Sequence, residues 1–121
     1  MFELFIKRRS SSREPSIAIL KNGNIYINNA CLDKYIGDNR FVNLFFDKEK
    51  RIIGIKPTSK KDIYSYPVTI SMKNEKSASG CVISAVSFCK NYSIEFKNET
   101  KKYPVTWNDI DKLIVASLQE I

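Results

Sequence analysis

One order of local signals occurs twice in this chain of 121 residues, and no other feature limits its fold as tightly. From Pro15 the order is a β-type run (SIAIL, Ser16–Leu20), a polar loop (KNGN, Lys21–Asn24) and a second β-type run (IYI, Ile25–Ile27). A capping Asn28 or Asn29 and a short apolar helix ending at Gly37 follow. Then come FVNLFF (Phe41–Phe46), the charged turn DKEK (Asp47–Lys50) and RIIGIK (Arg51–Lys56). From Pro67 the order returns as PVTIS, the longer loop MKNEKSASG, CVI, a helix capped by Ser84, and YPVTWNDIDKLIVASL. One such unit would leave hairpin edges unpaired, whereas two in one chain can bury each other's apolar faces. The expected organisation is a single domain, 1–121, with internal repeats at about 15–58 and 67–118 and a strand plus basic arm over 1–14.

The local chemistry makes the register explicit. Two β runs around Asn22-Gly23 form a strong hairpin signal. Cys31, Leu32, Tyr35 and Ile36 share one helical face. Phe45 and Phe46 must face opposite sides of a strand, and Pro57 should end its strand because it cannot donate to a ladder. The repeat sets Ile27 on Ile83, Phe41 on Tyr103, Phe45 on Trp107 and Asp47 on Asp109. It treats EFKNETKK as a longer insertion in the place of GDNR. At the C-terminus two readings stand together: the repeat and the Leu-Ile-Val run favour a strand at Leu113–Ser117, while the spacing of Ile110, Leu113, Ile114, Leu118 and Ile121 fits a helix.

Composition narrows the chemistry. The chain has no histidine, which removes the commonest general base and every Ser-His or Cys-His nucleophile. Its four glycines are scattered rather than gathered in a phosphate loop. Cys31, Cys81 and Cys89 lack close-paired metal spacing and read as buried small hydrophobes. The carboxylates of Asp109 and Asp111 sit in WNDID, where they suit a turn or a helix start. The expectation is therefore a non-enzyme with no cofactor and no metal. Apolar runs are far shorter than the roughly 20 residues of a membrane span, and a short apolar run precedes the charges at the N-terminus, unlike a secretory signal. A cytoplasmic protein with no membrane partner is expected.

The formal charge is +7 with a pI near 9.4, a balance that favours polyanionic partners. Codon bias in an AT-rich genome is a competing source of so many lysines. The basic residues group in the arm KRRSSSREP (Lys7, Arg8, Arg9 and Arg13) and in equivalent hairpin loops (Lys21, with Asn22 beside it, and Lys73 with Lys76). These residues are the candidate nucleic-acid contacts, acting on phosphates rather than on base edges.

The stretch IYINNACLDKYIGDNRFVNLFFDKEKRIIGIKP, Ile25 to Pro57, resembles the swapped-hairpin AbrB-like fold. MraZ-type members of that family carry two units in one chain. The resemblance implies a mainly β (β-rich α+β) protein, two pseudo-symmetric hairpin–short helix–hairpin units closing into a barrel-like swapped-hairpin body. It also implies a DNA-binding role as a transcriptional regulator or antitoxin-like protein, with duplex DNA as partner. The family's Ile-Pro step and helix-start Arg are replaced here by Ile27-Asn28-Asn29 and Ile83-Ser84-Ala85. The alternative is a protein-interaction module, or a homodimer, using the plentiful aromatic side chains. Single-stranded nucleic acid stacking on aromatics is a third possibility.

Overall fold

The computed structural model describes residues 14–72 and 78–118. The chain forms two antiparallel five-stranded sheets and two short helices. The first hairpin joins β1 (Ser16–Ile19) to β2 (Ile25–Asn28) through the expected Asn-Gly turn. Gly23 takes φ +89° there, and its N–H donates to the Leu20 carbonyl at 2.9 Å. Asn28 then caps α1 (Asn29–Cys31), accepting from the Cys31 N–H at 2.9 Å. α1 runs on into a π-helical turn, Leu32–Ile36, closed by a bond from the Gly37 N–H to the Leu32 carbonyl at 2.8 Å.

The second hairpin is β3 (Phe41–Asp47) with β4 (Ile52–Thr58). Pro57 lies inside β4 opposite Val42 and does not end it. The β10 ladder stops at Ile55, so on that side the proline nitrogen has no bond to lose. β5 (Ser65–Pro67) and β6 (Thr69–Met72) follow, separated only by Val68. β7 (Ala78–Ile83) leads to α2 (Val86–Asn91). Its N-cap is Ala85, not the expected Ser84, and no side chain caps it. β8 (Lys101–Pro104), β9 (Thr106–Asn108) and β10 (Leu113–Ser117) complete the chain. The C-terminal run is a strand, because its inward face, Ile114 and Ala116, is buried against the same core as Ile53 and Ile55.

The first sheet has the order β6-β7-β2-β1-β8 and the second β5-β3-β4-β10-β9. Backbone links them at two corners. Val68 separates β5 from β6 and donates to the Arg40 carbonyl at 2.9 Å. Val105 separates β8 from β9 and donates to the Pro15 carbonyl at 3.3 Å. Alternate residues of the central strands fill the space between the sheets: Ile17, Ile19, Ile25, Ile27, Ile53 and Ile55 are each at most 1% exposed.

The two charged turns match in detail, one residue away from the sequence register. Asp47 Oδ1 accepts from the N–H groups of Glu49 and Lys50, and Asn108 Oδ1 accepts from those of Ile110 and Asp111. Arg51 and Lys112 close the turns with φ of 56° and 57°. Asp47 therefore corresponds to Asn108 rather than to Asp109, and Phe46 rather than Phe45 corresponds to Trp107. The segment EFKNETKK is also more than an insertion, since Phe96 is buried in the core and β8 begins at Lys101.

Hairpins and helices pack crosswise. Trp107, from the last hairpin, stacks on Tyr35 of the first helical segment, with ring centres 5.0 Å apart. Phe46, from the second hairpin, packs against Phe88 and Tyr92 of the α2 region at 6.0 and 4.7 Å. Each helical segment is thus covered by the hairpin from the other half of the chain.

Candidate nucleic-acid interface

Two separate turns bring lysines to one end of the molecule, and α2, which carries a further lysine, is what they meet. The β1–β2 turn reaches α2 because Gly23 leaves room for it. A Cβ at Gly23 would lie 3.0 Å from Val86 Cγ2 and 3.2 Å from the Phe96 ring. The Cys89 thiol also lies 3.6 Å from the Gly23 carbonyl oxygen. This contact carries the exposed Lys21 and Asn22 to the side of the helix. The β3–β4 turn reaches the other end of α2 through Arg51. Its guanidinium donates to the carbonyl of Tyr92 at 2.9 Å and to that of Ser93 at 3.3 Å. Those carbonyls carry the negative end of the helix, so a cation is favoured there. The same guanidinium lies 5.2 Å from the Phe46 ring centre, and Lys48 Nζ lies 5.9 Å from that of Tyr92. Lys90 is exposed in the last turn of α2 itself.

Lys21, Lys48, Lys50 and Lys90 are all exposed, and none has an ion-pair partner among the described residues. Asp47, Glu49 and Glu95 stand in the same neighbourhood, but Asp47 accepts from the backbone of its own turn and Glu95 accepts a hydrogen bond from the Asn98 amide. The opposite end, around α1, is mixed in sign. Asp33, Asp38, Asp109 and Asp111 alternate there with Lys34, Arg40 and Lys112. Lys112 pairs with Asp109 at 2.9 Å, which holds that carboxyl below the usual carboxylate range.

Of the residues singled out in the sequence, Lys21 and Asn22 lie at the α2 end. Asn22 spends its carboxamide oxygen on the turn, accepting from the Asn24 N–H at 3.0 Å. Lys7, Arg8, Arg9, Arg13, Lys73 and Lys76 lie outside the described residues. The strands that flank Lys73 and Lys76 are informative all the same. β2 and β7 are antiparallel, with Ile25 opposite Ile83 and Asn28 opposite Gly80. The β6–β7 connection therefore leaves the first sheet at the end opposite Lys21. Sequence reasoning missed Lys48, Lys50 and Lys90. Their signal was present as turn-apex and helix-end positions, but only the tertiary contacts show that they belong with Lys21.

The other chemistry weighed in the sequence is engaged in structure. Asp109 and Asp111 are turn residues, with Asn108 Nδ2 donating to Asp111 at 3.3 Å. Cys31, Cys81 and Cys89 are fully buried free thiols. Burial pushes Cys31 and Cys81 up to about 12, with the neighbouring Cys81 adding to the shift of Cys31, and burial raises Cys89 as well. Among the described residues no group of three or more acidic, Cys or His side chains could hold a metal ion, and no helix is long and apolar enough to cross a membrane. Comparison with protein-family models, with curated proteins and with solved structures returns no match.

Proposed function

We propose that this protein binds duplex DNA through the basic surface around α2, without catalysis. The observation that carries this is the convergence of Lys21, Lys48, Lys50 and Lys90, from three segments distant in sequence, on one helix without ion-pair partners among the described residues. Codon bias can enrich lysine, but it gives no reason for lysines from three segments to gather at one helix, where Lys21, Lys48, Lys50 and Lys90 outnumber the neighbouring acids Asp47, Glu49 and Glu95. Contacts of this kind act on phosphates and position the duplex. The fold proposed with this role is two diverged units closed into a barrel-like body of the swapped-hairpin AbrB-like kind. Its support is the chain continuity through Val68 and Val105, which lets the strand pairing pass from one sheet into the other at both corners. The regulator or antitoxin-like role implied by that resemblance goes with duplex DNA as partner.

The test is fluorescence anisotropy on mixed-sequence duplex DNA across a salt series. Binding at low salt is expected, with a log–log slope of about −3 to −4 if all four lysines neutralise phosphates. Replacing Lys48, Lys50 and Lys90 by Glu together should abolish binding, whereas Lys34→Glu and Lys112→Glu should leave it in place. No binding at low salt removes the proposal.

A protein partner is favoured by an adjoining surface, which shares Lys48 with the basic one. The outer face of the second sheet forms a shallow concavity of about 770 Å³ lined by Phe45, Ile52, Gly54, Leu113 and Val115, and Phe45 is 48% exposed. Phe45→Ser, which adds no charge beside Lys48, should leave DNA binding unchanged, so a loss of cellular function in that variant alone would point to this face.

A further inference from the structure

The two turns that meet α2 lie on opposite flanks of it. Val86 faces the β1–β2 turn at Gly23, and Lys90, four residues on, leans to the same flank. Phe88 and Tyr92, also four apart, face the β3–β4 hairpin through Phe46 and Arg51. Between the flanks a third row, Ser87 and Asn91, is again four apart, and both residues are exposed. The exposed row is uncharged, and α2 itself (VSFCKN) holds no acidic residue, whereas the other helical segment exposes Asp33.

Asn91 also differs from the other turn and cap asparagines. Asn22, Asn28, Asn39 and Asn108 spend their carboxamides on nearby backbone. Neither Asn91 nor Ser87 has a side-chain hydrogen bond among the described residues. A carboxamide left free on an exposed helix face can donate to N7 and accept from the N6 amine of adenine, a pair of groups that only the major groove presents. That groove is about 12 Å wide and takes one helix with its side chains, about 10–12 Å across. A helix seated there has a phosphate strand on either side. α2 has Lys21 and Lys90 on one flank and Lys48 and Lys50 on the other.

We propose that α2 is the reading element of the basic end, lying in the major groove with Asn91 hydrogen-bonded to the edge of an adenine and Ser87 to an adjacent base. This rests on the DNA-binding reading above and adds sequence preference to it. A helix of this length extends about 9 Å, so the preference covers about three neighbouring base pairs.

Selection by the full chain from a randomised duplex library tests it. The enriched sites should share a short core with one fixed adenine, and exchange of that adenine for another base should weaken binding about fivefold or more. In the same site, 7-deazaadenine keeps the base pair and lacks only the N7 acceptor, and it should weaken binding of the unaltered protein to a similar degree. For Asn91→Ala, the enriched site and its base-exchanged form should bind about equally well. Binding of mixed-sequence duplex without any enriched site would overturn this inference and leave the phosphate-contact reading standing. An enriched site indifferent to 7-deazaadenine and to Asn91→Ala would do the same. Absence of duplex binding at low salt would overturn both.

Discussion

At the scale of single residues, Asn28 carries more than its cap. Its Oδ1 accepts from the Cys31 N–H at 2.9 Å and from the Ser16 N–H at 3.1 Å, while its Nδ2 donates to the Glu14 carbonyl and to Ser16 Oγ. One carboxamide thus starts the first helical segment and fastens the entry of β1. Asn28→Ala should cost about 2–3 kcal/mol in urea unfolding, and Asn28→Asp, which keeps the acceptors and loses the donors, should cost less. Gly80 is a second residue without a substitute. It takes φ +153°, and a Cβ there would overlap the Ile27 carbonyl oxygen and come within 2.8 Å of the Tyr26 hydroxyl oxygen. Tyr26 lies across it and donates to the Ser79 carbonyl. The buried thiols give a pH prediction. Cys31 and Cys81 are raised to about 12, so the native state keeps their protons where the unfolded chain loses them. Their contribution is fully present below pH 9 and is lost as pH rises toward 12, with a slope of up to about 1.4 kcal/mol per pH unit for each thiol. Urea midpoints measured from pH 8 to 11 for the unaltered chain and for Cys81→Ala should diverge, the variant falling less steeply.

At the scale of elements, neither helical segment is long enough to stand alone, and each is held by a hairpin from the other half of the chain. Phe46 and Arg51 belong to the β3–β4 hairpin, yet their partners are Phe88, Tyr92 and Ser93 around α2. Trp107 belongs to the β9–β10 hairpin and stacks on Tyr35. Phe46→Ala should therefore cost about 2–4 kcal/mol and loosen α2 rather than its own hairpin. Amide exchange is the measurement, with faster exchange expected at Cys89 and Tyr92 and little change along β4. The order of signals in the sequence made the hairpins and helices legible one by one. Which hairpin covers which helix was not legible, because stacking partners such as Tyr35 and Trp107 are far apart in the chain.

At the scale of the whole molecule, the basic end exists only because the fold assembles it. Lys21 was legible as a loop lysine, but it joins Lys48, Lys50 and Lys90 through the Gly23 contact with α2 and the Arg51 bonds to the helix end. The sequence expectation had grouped Lys21 with Lys73 and Lys76 as equivalent hairpin loops. Equivalence in a repeat does not mean adjacency: β2 and β7 run antiparallel, so equivalent loops leave opposite ends of the sheet. The salt-dependent DNA binding proposed above is accordingly a property of one end, and charge reversal at the α1 end serves as its control.

Local chemistry by itself determined much of this protein. The Asn-Gly turn, the Asn28 cap, the alternation that buries Ile25 and Ile27, and the separation of Phe45 from Phe46 all follow from nearest neighbours along the chain. Tertiary structure alone decided the rest. Leu113–Ser117 is a strand because β4 and β9 pair with it on either side, although its apolar spacing also fits a helix. The repeat register moved by one residue because hydrogen bonds in the turns, not residue likeness, place Asp47 with Asn108. Pairing across a sheet joins residues distant in sequence, and the pattern of one segment does not contain the identity of its partner.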